Sequence, residues 1–138
     1  MADTLTGMDV IRRFLEVSPL VGHLGMRVVA LEPDRATLML PFANCVVTVG
    51  DVVHGGAISA LVDTTAMAAS WSTLELPANP RGTTVGLTVD FLTAARAQDL
   101  TAVGHVIRRG KNLCFCEVSV TDAGGQIVAV GLVTYKLG

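Results

Sequence analysis

A chain of 138 residues has the size of one domain, and a single domain over 1–138 is the expectation. A formal net charge of −2 gives no electrostatic reason to bind nucleic acid. Three cysteines, Cys45, Cys114 and Cys116, predict neither a disulfide framework nor a metal site, since no histidine or further cysteine stands at ligand spacing. Apolar residues make up 51% of the chain, many of them Ala and Val, and that excess in a short chain predicts a subunit interface. The sequence opens Met1-Ala2-Asp3-Thr4, without a basic stretch and apolar run, so no secretory leader and a cytoplasmic protein are expected.

In chain order, residues 1–6 read as frayed. Met8, Ile11, Phe14 and Leu15 share one face of an amphipathic helix over about 8–17, which Ser18-Pro19 ends. Residues 19–25 read as a loop holding His23. Strands follow at 26–31 and 36–41 around the turn Glu32-Pro33-Asp34-Arg35. Residues 42–53 read as a loop that feeds the stretch 51–72, DVVHGGAISALVDTTAMAASWS. This stretch is apolar around almost its whole circumference, so it predicts a buried helix wrapped by a sheet. It contains Asp, Ser and Thr and is too short for a membrane span. Four strands then complete the chain, at 83–91, 100–107, 113–121 and 126–136. In the first, Val85, Leu87, Val89 and Phe91 alternate against Thr84, Gly86, Thr88 and Asp90. Arg108-Arg109-Gly110-Lys111-Asn112 reads as a turn between the second and third. One long apolar helix against a mostly antiparallel sheet is an α+β arrangement.

Within the long helix Ser59, Asp63 and Ser70 fall on one stripe, and Asp63 is the sole charge between Asp51 and Glu75. A carboxylate on a buried helix is costly unless it is hydrogen-bonded or serves chemistry. Gly55 and Gly56 open the same helix, where amides are free and the helix dipole favours negative charge. Glycine lets a carbonyl oxygen approach that backbone, which is the requirement for an oxyanion hole. Arg108, Arg109 and Lys111 crowd one glycine turn and repel one another unless an anion visits.

His54-Gly55-Gly56, with Asp63 nine residues after the histidine, resembles the hotdog-fold acyl-CoA thioesterases, in the branch typified by the phenylacetate-degradation and acyl-CoA thioesterase 13-type enzymes. Gly82-Thr83-Thr84-Val85, Asp90-Phe91-Leu92 and Arg108 to Asn112 extend the resemblance, which covers about residues 20–138. It implies a hydrolase that cleaves an acyl- or aryl-CoA thioester to acid and CoA without metal or other cofactor. Gly55 and Gly56 would polarise the carbonyl, and His54 would hold their loop. Asp63 would be general base or nucleophile, and Thr84 would match a hydroxyl that holds the water. Arg108, Arg109, Lys111 and Asn112 would lie near the CoA phosphates. The branch often carries Asn six residues before the histidine; here Thr48 stands there, and Asn44 lies four residues further upstream. Hydratases and non-catalytic acyl-CoA binding proteins share the fold and are the alternatives.

Helix geometry adds an expectation. Asp63 lies seven residues beyond Gly56, roughly 10 Å along the axis, too far for both to reach one thioester. Antiparallel pairing with the helix of a second copy brings them together. A homodimer with composite sites is therefore expected, and a homotetramer as a dimer of such dimers, consistent with the two-fold dimers of the resembling enzymes.

Overall fold

The structure, a computed structural model, describes residues 4–138. Of the expected frayed segment, residues 1–3 lie outside the described residues. Thr6 is not frayed: its side chain caps the first helix, α1 (Gly7–Val17), and Asp9 returns the bond to the Thr6 amide in a full capping box. The apolar face of α1 carries Ile11 and Leu15 into the core. Residues 19–25 form a short helix, α2 (Pro19–Leu24), rather than a loop. Pro19 is preorganised for a first helical turn, and Gly25, at φ 72°, supplies the left-handed residue that ends it.

Strands β1 (Arg27–Glu32) and β2 (Arg35–Leu40) form a hairpin. The expected loop over 42–53 holds one 3-10 turn, Asn44–Val46, and a small ribbon of β3 (Val47–Val49) with β4 (Val52–Val53). The long helix α3 (Gly55–Trp71) follows, then β5 (Gly82–Phe91), β6 (Leu100–Arg109), β7 (Leu113–Thr121) and β8 (Ile127–Leu137). The main sheet has the order β1-β2-β6-β7-β8-β5, every pair antiparallel, with β5 at one edge. It curls around α3. Leu38 and Leu40 of β2, Ala102 of β6, Val118 of β7 and Val133 of β8 are buried with Leu61, Val62 and Ala66 of the helix. Close approach depends on Gly131 of β8, where a Cβ would come 2.6 Å from Val62 Cγ1. The helix carries its buried hydroxyls by turning them on its own carbonyls: Thr65 to Leu61, Ser70 to Ala66 and Ser72 to Ala68.

Two bulges correct the expected strand faces. In β5, Thr84 pairs with Tyr135 but Gly86 with Thr134, so Val85 is an extra residue. Thr84 therefore shares the helix-facing side with Leu87, Val89 and Phe91 instead of opposing them. In β6, Ile107 is extra between Val106 and Arg108. The strand continues through Arg109, so the expected turn over 108–112 shrinks to Gly110-Lys111-Asn112. Arg108 pairs with exposed Phe115, whereas Arg109 pairs with buried Cys114 and points toward the helix.

Candidate active site

Two sets of groups stand out on α3, one at its start and one in its middle. At the start, His54 is the N-cap, and its Nδ1 accepts the Gly56 amide at 2.7 Å. The His54 carbonyl accepts the amides of Ala57 and Ile58, and the His54 amide donates to the Val46 carbonyl. The loop is thus held from both sides, and the Gly56 N–H is committed to the imidazole. The Gly55 N–H has no acceptor among the described residues and is the amide left for a ligand. The Phe91 ring stands over it, 3.3 Å from where a Cβ on Gly55 would be. Gly55, Phe91, Thr48, Ile58 and Leu92 line a common open cavity. Asn44 is not among its lining residues. Asp51 and Arg96 brace the loop through an exposed ion pair of 3.2 Å.

In the middle of α3, Asp63 is half-buried and its Oδ1 accepts the Thr84 hydroxyl at 2.6 Å. Its second oxygen has no partner among the described residues. Ser59 and Ser70, its stripe-mates, are bonded to carbonyls of their own helix. Ser70 also meets Cys116 Sγ of β7 at 3.3 Å, whereas Asp63 reaches β5 through Thr84 and keeps one oxygen free among the described residues. From Gly55 to Asp63 is eight residues, about 12 Å along the axis. The two sets within this chain are therefore separate.

The cations divide. Arg109 donates through Nε and Nη2 to Asp34 Oδ1, at 3.1 and 2.7 Å, and through Nη2 to the Ser70 carbonyl. Arg108, Lys111 and Asn112 are exposed, and the Asn112 carbonyl holds the Leu137 amide. Burial raises the thiols of Cys114 and Cys116 above their usual range, so they are inert core groups. Among the described residues no three His, Cys, Asp or Glu side chains gather where they could hold a metal. Phe91 over Gly55 and the Val85 bulge are site features the sequence reading did not identify. The glycine two residues after Thr84, inside a strand pattern, is the signal that marks such a bulge.

A buried helix with a capped, amide-bearing start and a half-buried carboxylate, wrapped by an antiparallel sheet, defines a class, and comparison with known proteins agrees. The family description "Thioesterase superfamily" matches residues 50–129. Human acyl-coenzyme A thioesterase 13 is 32% identical over 91 residues, 62% of this chain and 61% of that protein. A Saccharolobus solfataricus protein whose name proposes an esterase is 25% identical over 131 residues, 95% of this chain and 85% of that one. The Escherichia coli PaaI protein of the phenylacetic acid degradation operon superimposes with a TM-score of 0.84, covering 96% of this chain and 93% of that one at 17% identity, a likeness of fold. The fold is the hotdog fold, and the chain belongs to the thioesterase superfamily.

Proposed function

We propose that this chain is an acyl-CoA thioesterase that works as a homodimer with composite sites. The carrying observation is the pair of unsatisfied groups on one buried helix: the Gly55 amide without an acceptor and the Asp63 carboxylate with one oxygen unpaired. In one site, Gly55 N–H of one subunit receives the thioester carbonyl oxygen. Asp63 of the other takes the proton of a water that attacks the carbonyl carbon, and the tetrahedral intermediate expels the CoA thiolate. Thr84 fixes Asp63 through Oδ1 and leaves the other oxygen for that water. His54 acts by holding the loop, with Gly56 as the donor it captures. Antiparallel pairing of two copies is supported by the edge position of β5 and by its exposed Val85, Leu87 and Phe91. Because Arg109 is engaged inside the chain, the CoA handle narrows to Arg108, Lys111 and Asn112, with charge from the first two.

Release of free thiol from a panel of acyl-CoAs tests the activity. Complementation tests the assembly: Asp63→Asn and a bulky replacement of Gly55 are each expected to be inactive. Their mixed dimers are expected to recover about half the activity of a wild-type dimer, since one of two sites is intact. An active monomer, or no recovery despite proven subunit exchange, would defeat composite sites.

A further inference from the structure

Beside Asp63 lies a second cavity that the hydrolysis steps do not use. About 320 Å³ in volume, it is lined by Ile11 and Phe14 of α1, Met67 and Trp71 of α3, Gly82 of β5 and Tyr135 of β8. It lies near the carboxylate: Met67 is one helical turn beyond Asp63, and Tyr135 is the cross-strand partner of Thr84. The walls are apolar or aromatic, as an acyl pocket requires. Its floor is not. Tyr135 is 3% exposed, and its hydroxyl oxygen accepts Trp71 Nε1 at 2.9 Å. The hydroxyl proton has no acceptor among the described residues. The hydroxyl lies against Gly82, where any Cβ would collide with it. Trp71 and Gly82, which surround this hydroxyl, line the cavity together with Tyr135 itself.

We propose that Tyr135 is a specificity residue for an acyl group that ends in a neutral hydrogen-bond acceptor, a carbonyl, ether or hydroxyl oxygen. The inference rests on the thioesterase reading for the position of the acyl group, which enters between α1 and α3 from Asp63. Trp71 Nε1 already donates to the phenol oxygen, so its O–H is left to donate. Burial holds the Tyr135 phenol above its usual range despite the Trp71 bond, and the nearby Asp63 charge adds to this, so the group stays protonated. A terminal carboxylate is disfavoured there, since it would face Asp63. An alkyl end leaves the buried hydroxyl without a partner, and sites built to hydrogen-bond a substrate discriminate strongly against such analogues.

The test uses a matched pair: an acyl-CoA ending in a methyl ketone and its counterpart ending in an isopropyl group, equal in heavy atoms and compared over a series of chain lengths. Non-hydrolysable thioether versions are titrated into the full-length protein with Trp71, its single tryptophan, as the fluorescent reporter. At the best length the ketone is expected to bind about 10-fold tighter, the worth of one buried hydrogen bond. In Tyr135→Phe the ratio is expected to fall to about one, since the ketone loses its donor and the isopropyl group no longer strands a hydroxyl. A wild-type ratio near or below one at every length overturns the proposal whether or not Tyr135→Phe folds, and so does a ratio unaltered in that variant. Thiol release from the corresponding thioesters is measured separately. No hydrolysis of either, with the binding ratio intact, would overturn the hydrolase reading and leave the pocket assignment standing.

Discussion

Strands β5 and β6 each carry one extra residue, Val85 in the first and Ile107 in the second, and in each a nearby polar side chain is thereby turned toward α3. Thr84 meets Asp63, and Arg109 meets Asp34 and the Ser70 carbonyl. The outcomes differ in what is left over. Around Arg109 the polar groups satisfy one another: Asp34 receives two guanidinium bonds, its amide donates to the Ser72 carbonyl and its carbonyl accepts the Val106 amide. Asp34 stands in the tight turn between β1 and β2 with a positive φ of 62°. That cluster ties the β1–β2 turn to the end of α3. Around Asp63 a carboxylate oxygen stays unpaired, half-buried, beside an apolar cavity. A closed network stabilises, whereas an unfinished one is a place for a ligand.

The sharpest way to break that contrast is Asp63→Asn. The amide keeps the shape and can still accept from Thr84, so folding should be unaffected, while kcat should fall about 10³-fold through loss of the carboxylate. Retained turnover would move the chemistry elsewhere. Arg109→Ala should do the reverse. Equilibrium denaturation should show a loss of about 1 kcal/mol, since solvent screens a pair whose carboxylate is more than half exposed, with thiol release per folded protein unchanged. Arg109→Lys should recover little, because an ammonium cannot reproduce the forked contacts. A stable Arg109→Ala with a raised KM would instead return this residue to the CoA handle.

Thr84→Val lies between these. The site loses a hydroxyl but keeps its carboxylate, so a drop in kcat of about 10-fold with little change in KM is expected from steady-state kinetics. This residue also shows what the sequence hid. Asp63 was legible because one charge on an apolar helix is costly, and the capped Gly55-Gly56 start because amides there are free. Strict alternation placed Thr84 opposite Leu87, and an extra residue in a strand leaves that pattern intact while reversing the side chain beyond it. The same effect made Arg108, Arg109 and Lys111 look like one cationic turn. Neighbours far apart in sequence, Phe91 over Gly55 and Trp71 on Tyr135, have no periodic signature at all.

With Arg109 engaged internally, Arg108→Ala and Lys111→Ala should each raise KM for acyl-CoA by about 3-fold with kcat nearly unchanged, the mark of a contact equal in ground and transition states. Pantetheine thioesters, which lack most of the phosphate charge, should not respond. Equal losses on pantetheine and CoA substrates would place these side chains outside the phosphate contacts.

An effect as small is expected at Thr48, and it tests which residue replaces the usual asparagine. Thr48 lines the cavity at Gly55, whereas Asn44 lies outside its lining, in the 3-10 turn before β3. A threonine hydroxyl is a single rotatable donor on an exposed ribbon, so it can assist the Gly55 amide only weakly. Thr48→Val should therefore lower kcat by about 3-fold with KM unchanged, and Asn44→Ala should leave both unchanged. Thr48→Asn should raise kcat above the wild-type value, because an amide N–H would give the carbonyl oxygen a second, better-directed donor beside Gly55. A fall in kcat with Asn44→Ala and none with Thr48→Val would show that the loop brings Asn44 to the thioester when substrate binds.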